Sequence, residues 1–202
     1  MSFFRTALCS KELPLHSNLK AATHMIQTKR LILRQWDDAD LQPFAEMCGD
    51  SEVMEFFPQL LTEVESYSLA NRMRSLIADR GWGFWAVEVP DQARFIGYVG
   101  LHIPRASMPF HPCVEVGWRL AKEYWGRGYA TEAARASLDY AFAHLDLKEV
   151  VSFTTTRNLR SQAVMKKIGM TFDRHFMHPE LDVSSPLREH VLYKVSAAQH
   201  LG

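Results

Sequence analysis

From Met25 onward, apolar runs of strand length alternate with stretches of helical period. Arg30-Leu31-Ile32-Leu33-Arg34 is an apolar run flanked by charge, the pattern of a strand. Asp37 and Asp38 stand where a helix start needs acceptors. Leu41, Phe44, Ala45 and Cys48 then recur at helical spacing before Gly49. A second helix is predicted over Glu63 to Arg80, with Tyr67, Ala70, Met73 and Ile77 on one face and Gly81 at its end. Phe84 to Val89 and Phe95 to Ile103 read as strands joined by a Pro90-Asp91 turn. Val114 to Leu120 alternates apolar and polar residues as a half-covered strand does. An alanine-rich helix follows over Ala130 to Leu145, then a strand at Val150 to Thr156 and a helix from Asn158 to Ile168 closed by Gly169. Strands at Thr171 to Phe176 and Arg188 to Val195 complete the pattern. One mixed sheet with helices on its faces is the economical arrangement.

The first residues break this rhythm. Met1 to His24 has neither period and no apolar stretch of signal-peptide length. The expected organisation is an amino-terminal extension over 1–24, a single domain over 25–197 and a tail over 198–202. The extension reads as a poorly ordered arm, with packing on a partner subunit as the other use, or as residues upstream of a natural start at Met25. A chain of 202 residues suits one domain. Lys plus Arg and Asp plus Glu both number 23, and a zero net charge argues against a nucleic-acid or membrane-surface partner. No apolar run approaches the ~20 residues of a membrane span. Cys9, Cys48 and Cys113 are scattered and form no C-x-x-C pair, which suits a reducing cytoplasm. His175 and His178 lack companion ligands, so no metal is expected.

Candidate chemistry concentrates in Tyr124-Trp125-Gly126-Arg127-Gly128-Tyr129-Ala130-Thr131, between a strand and the alanine-rich helix. Two glycines let the backbone aim successive N–H groups at one point, and the helix start adds its own unpaired N–H groups. The combination suits a phosphate or pyrophosphate, with Arg127 adding charge. The third glycine of a dinucleotide fingerprint is missing, and no P-loop run exists. A turn that binds nothing is the plain alternative.

Three stretches together resemble the GNAT acyl-CoA N-acyltransferases, and within them the Rim-type branch that acetylates amino termini of ribosomal proteins. They are TKRLILRQWDDADLQPFAEMCGDSEVM at Thr28 to Met54, VEVGWRLAKEYWGRGYATEA at Val114 to Ala133, and NLRSQAVMKKIGM at Asn158 to Met170. The resemblance spans roughly Met25 to Val195. It implies an α+β GNAT fold: a central, mostly antiparallel sheet of about seven strands with helices on both faces. Its fourth and fifth strands are parallel and splayed to hold the cofactor. It also implies acetyl-CoA as acetyl donor, with Trp125, Gly126, Arg127, Gly128, Tyr129, Ala130 and Thr131 around the pyrophosphate. Trp125 stands where the general pattern has Gln or Arg, as in the Rim-like branch. The backbone of Trp118, Arg119 and Leu120 would pair with the pantetheine amides, and Asn158 would bond the pantetheine arm or simply cap its helix. Arg157, Arg160, Lys166, Lys167 and Arg174 make a basic edge nearby.

Acetyl transfer to an amine needs a neutral nitrogen and a proton for the leaving sulfur. An α-amino group at ~8 needs far less help to deprotonate than a lysine at ~10.4. Glu115 is the base candidate, acting directly or through water, with a structural carboxylate as its alternative. Ser161 is the candidate proton donor, because Met165 occupies the position where many GNAT proteins carry a tyrosine. Trp85, His178, Arg188 and His190 are assigned to the acceptor side, with Trp82, Phe56 and Phe57, and His190 is a second base candidate. The expected activity is direct acetyl transfer to a primary amine, a protein amino terminus in the leading reading, by a monomer or homodimer. A small-amine or aminoglycoside acetyltransferase is one alternative, and a non-catalytic acyl-CoA-binding sensor is another.

Overall fold

The computed structural model describes residues 25–202, so the expected extension over 1–24 lies outside the described residues. The strands are β1 (Ile26–Gln27), β2 (Ile32–Arg34), β3 (Phe84–Val89), β4 (Ala93–His102), β5 (Glu115–Leu120), β6 (Glu149–Thr155), β7 (Thr171–Met177) and β8 (Glu189–Ser196). The helices are α1 (Leu41–Gly49), α2 (Glu63–Arg80), α3 (Tyr129–His144), α4 (Leu159–Lys167) and α5 (Ala197–Leu201). All eight strands join one sheet in the order β1-β2-β3-β4-β5-β6-β8-β7. Every neighbouring pair is antiparallel except β5–β6. With the extra strand β1, the predicted fourth and fifth strands are β5 and β6.

Strand alternation divides the core between two faces. Phe84 of β3 and Tyr98 of β4 meet on one face, with ring centroids 5.0 Å apart. Trp36 and Phe44 join them there, so α1 covers this face. Trp85 points the other way and packs edge-on against Tyr140 of α3 at 5.3 Å. Leu138, Val150, Met165 and Val195 fill the rest of the core, almost wholly shielded from water.

Helix boundaries follow their caps. Thr62 and Glu65 form a reciprocal capping box at the start of α2, and Gly81 ends it in a left-handed conformation. At the first predicted helix, Asp37 caps a 3-10 turn at Asp38–Asp40 instead, and α1 proper begins at Leu41. Ser196 and Gln199 box the start of α5, so the segment expected as a tail folds as a short helix. Its five residues and the two of β1 are too few to show a period in the sequence.

One buried ion pair joins β2 to the turn at Asp38–Asp40. Arg34 holds Asp40 with Nη1–Oδ2 at 2.8 Å and Nη2–Oδ1 at 2.9 Å, and its Nε donates to Glu88 Oε2 at 2.7 Å. Asp40 is fully buried and also accepts the Asp37 N–H at 2.9 Å. Asp40→Ala should lower unfolding stability by about 3 kcal/mol, since it strips the main partner from a mostly buried guanidinium. Urea unfolding at neutral pH measures this; a loss below about 1 kcal/mol would mean that Glu88 and water replace Asp40.

Candidate active site

The site begins where the β5–β6 ladder stops. The two strands share a single register pair, Glu115 opposite Val151. Val151 N–H donates to the Val114 carbonyl at 3.0 Å, whereas Ala121 N–H donates to Ile96 of β4 at 2.9 Å. Successive residues of a strand aim their backbone groups to opposite sides. The backbone of Trp118 therefore faces the opening between β5 and β6, and that of Arg119 faces β4. The Leu120 carbonyl faces the opening as well, but accepts the Trp125 indole N–H at 2.8 Å. Of the three residues expected to present backbone to a pantetheine, Trp118 has free groups and Leu120 is partly engaged. Arg119 is turned away by strand alternation, a correction to the expectation.

The Arg119 side chain is buried on the opposite side, under α1. Its Nη1 donates to Cys48 Sγ at 3.2 Å and its guanidinium lies 3.9 Å from the Phe57 ring centre. Arg119 therefore helps seat the segment between α1 and α2.

Trp125 to Gly128 closes one end of the opening. Gly126 and Gly128 have φ of 74° and 81°, left-handed values that disfavour any side chain. A Cβ built at Gly126 would meet no atom within 4 Å, so space lies beside the loop. Gly128 starts α3 without a side-chain cap, and the first helical bond runs from Glu132 N–H to the Gly128 carbonyl. The N–H groups of Tyr129, Ala130 and Thr131 consequently have no partner within the helix. Gly128 and Thr131 border a groove of about 500 Å³ that is also lined by Arg30, Glu132, Arg135, Asp139 and Lys167. Uncapped N–H groups and two left-handed glycines fit a ligand rich in phosphate, and Arg135 and Lys167 of the groove add positive charge. Arg127 is exposed, with its guanidinium 5.7 Å from the Tyr124 ring centre.

Helix α4 stands beyond the opening. Asn158 Oδ1 accepts the Ser161 N–H at 3.0 Å and its Nδ2 donates to Thr154 Oγ1 at 3.1 Å. Both ends of this amide are thus engaged in capping α4 and tying it to β6. Ser161 is half-buried in the first turn, and Met165, one turn further, is wholly buried. Arg160 lies 4.5 Å from the Trp125 ring centre and pairs with Glu55 at 2.7 Å, so α4 touches the loop across the opening.

The face of the sheet beside α1 holds the titratable groups. Glu115 keeps some surface, yet burial pushes its carboxyl up to about 8. His102 of β4 is directly opposite Glu115 and on the same face. Its ring stacks on Phe84 at 5.3 Å, and burial, with Arg80 and Arg72 assisting, depresses its pKa to about 4. The sequence reading missed His102, because its partnership with Glu115 depends on the β4–β5 register.

Further along the sheet, His190 and His178 meet with ring centroids 4.9 Å apart, surrounded by Phe110, Phe153 and Phe176. Burial lowers the pKa of His190 to about 4, and also lowers that of His178. Arg188 contributes its carbonyl, which accepts the His178 N–H at 2.8 Å, and its Nε is buried without a partner. The structure thus gathers His178, Arg188 and His190 into one cluster. Trp85 is elsewhere: completely buried against α3, on the other face of the sheet. Its assignment to the acceptor side is corrected by strand alternation, which gives that face to Phe84 instead.

Among the described residues no group of three or more His, Cys, Asp or Glu is placed to hold a metal ion, and no helix is long and apolar enough to cross a membrane.

The family follows from this geometry and from known relatives. Residues 30–171 match the acetyltransferase (GNAT) domain. The chain is 31% identical over 152 residues to the uncharacterized N-acetyltransferase YnaD of Bacillus subtilis, covering 75% of this chain and 85% of that protein. It is 33% identical over 136 residues to the FsC-acetyl coenzyme A-N(2)-transacetylase of Aspergillus fumigatus, covering 64% of this chain and 57% of that protein. A GNAT-family acetyltransferase structure from Bacillus anthracis superposes with a TM-score of 0.73 at 25% identity, covering 86% of this chain and 98% of that one. The chain belongs to the GNAT acetyltransferase family. It is an acetyl-CoA-dependent N-acetyltransferase.

The raised carboxyl gives a sign to stability. Glu115 titrates near 4.5 when unfolded and at about 8 when folded, so across this window the folded state holds the extra proton. Its contribution is complete below pH 4.5 and is lost progressively as pH rises toward about 8. Glu115→Gln should therefore gain stability relative to the natural protein as pH rises through this window, which thermal unfolding in matched buffers reads. A constant difference would mean that the carboxyl is not held protonated. Gly128→Val forces a β-branched residue into a left-handed conformation and should abolish coenzyme A binding in calorimetry. Unchanged binding would move the phosphate site away from this loop.

Proposed function

We propose that the protein acetylates an amine of α-amino type, as at a peptide amino terminus, by direct attack on the acetyl thioester. This is the Rim-like reading, and Trp125 and Ser161 occupy that branch's positions. The observation that carries it is the Glu115 carboxyl, pushed up to about 8 by burial beside the start of the β5–β6 opening. An α-amino group titrates near ~8, so proton transfer to such a carboxylate is nearly balanced, the condition for an effective general base.

Acetyl-CoA supplies an activated acetyl group. The nitrogen–carbon bond forms as the carbon–sulfur bond breaks, and coenzyme A departs as a thiolate that needs a proton. In this reading Glu115 takes the proton from the amine, directly or through one water, while neutral His102 packs beside it. Ser161 donates a hydrogen bond or relays a proton to the sulfur. Trp118 presents backbone to the pantetheine arm, and the Gly126 to Thr131 segment holds the pyrophosphate. Phe153, His178 and His190 line the acceptor side in this reading, and the Glu180 carboxylate beside them is engaged by Arg105 and Ser107, which favours an acceptor with one amine over a polycation. The free thiols of Cys48 and Cys113 suit a reducing cytoplasm.

A small-amine acceptor is the second reading, favoured by a 30% likeness over 59 residues to the spermidine N(1)-acetyltransferase of Escherichia coli. Isotope-labelled acetyl-CoA offered separately to amino-terminal peptides, to polyamines and aminoglycosides, and to lysine peptides with blocked termini decides between them. Label on the amino-terminal peptides is expected; label only on the small amines would overturn the peptide reading. With the labelled acceptor, Ser161→Ala should lower kcat by about tenfold or more and leave the KM for acetyl-CoA unchanged. An unchanged kcat would remove Ser161 from the reaction.

A further inference from the structure

The turn after β1 reaches across to the first turn of α3 and grips it. Glu132 Oε1 accepts the Thr28 hydroxyl at 2.7 Å and the Arg30 backbone N–H at 2.9 Å. Its Oε2 accepts Arg30 Nε at 2.7 Å and pairs with Nη2 at 2.6 Å. Arg30 Nη1 donates to the Arg127 carbonyl at 3.0 Å, inside the glycine loop itself. The same guanidinium lies 4.8 Å from the Tyr129 ring centre, and a Cβ at Gly128 would stand 3.4 Å from Arg30 Nη2. One side chain thus touches Arg127, Tyr129 and Glu132 and stands beside Gly128.

We infer that Arg30, with Thr28 and Glu132, is a positioning clamp that holds the Trp125 to Thr131 segment in its phosphate-binding conformation. This rests on the reading of that segment as the cofactor loop. The clamp has two consequences. First, the loop's left-handed glycines and uncapped N–H groups are ordered before any ligand arrives, which lowers the entropy cost of binding. Second, Glu132 puts a carboxylate into the groove that the phosphates would approach. Partial burial opposes its ionisation, but the Thr28 and Arg30 bonds outweigh that and keep the carboxyl below its ordinary value. Arg30 neutralises it in place. Without Arg30, the loop would loosen and a bare carboxylate would face the ligand's phosphates.

This double role separates the clamp from ordinary scaffolding. Coenzyme A affinity is measured by calorimetry, and thermal stability alongside, for the natural protein, Arg30→Ala, Arg30→Lys, Arg30→Ala with Glu132→Ala, and Gly128→Val. Arg30→Ala should weaken coenzyme A binding about tenfold, and Arg30→Lys should restore little, because one ammonium lacks the fork that spans Glu132 and the Arg127 carbonyl. Adding Glu132→Ala should recover part of the affinity while lowering stability further, since the Thr28 and Arg30 N–H bonds are then lost too. A merely structural role would move affinity and stability together. Affinity within about twofold after Arg30→Ala, with binding abolished in Gly128→Val, would overturn the clamp and leave the loop reading intact. No effect from either variant would overturn the loop reading itself. Should Arg30→Ala fail to fold, Thr28→Val removes one bond to Glu132 and carries the same test with a smaller expected loss.

Discussion

The separation of β5 from β6 is the constraint on which the rest of the site depends. A parallel pair in the middle of a sheet would ordinarily continue its ladder, because unpaired backbone groups in a protein interior are costly. Here the ladder holds at Glu115 and Val151 and then ends. The same break does two things. It exposes the backbone of Trp118 along an opening between two strands. It also places Glu115 at the last paired position, on the sheet face that carries His102 and Tyr98. In the proposed reading the strand ladder divides a cofactor side from an acceptor side.

Charge is distributed unevenly across that division. On the α3 side, the groove at the glycine loop holds Arg30, Arg135 and Lys167 against Glu132, which Arg30 ties off, and Asp139, which His200 engages. On the α1 side, burial raises the Glu115 carboxyl to about 8, level with an α-amino group, and keeps His102 and His190 neutral down to about pH 4. An amine enters most easily as the neutral base where the walls do not stabilise its ammonium form. The α1–α2 segment adds links to both flanks, from Glu52 to Lys122 and from Glu55 to Arg160.

Most of the fold was legible in the sequence because local rules decide it. The apolar period of α2, its terminating Gly81 and the alternation of β5 are properties of adjacent residues. The glycine loop was legible for the same reason, as Gly126 and Gly128 precede an uncapped helix. What escaped depends on register and distance. His102 became a neighbour of Glu115 only through the β4–β5 pairing. Arg119 was assigned to the opening because it sits between Trp118 and Leu120, but alternation turns its backbone to β4. Trp85 was assigned to the acceptor side for its aromatic ring, and strand parity puts it under α3. The clamp joins Arg30 to Glu132 over 102 residues, a span no local pattern reports.

Amide hydrogen exchange with and without coenzyme A tests whether the β5–β6 opening and the glycine loop form one cofactor site. Slowed exchange is expected at the Trp118 amide and at the amides of Tyr129, Ala130 and Thr131, with the β3–β4 ladder unchanged. Protection confined to other segments, with Trp118 and the start of α3 exchanging as fast as before, would contradict a single site there.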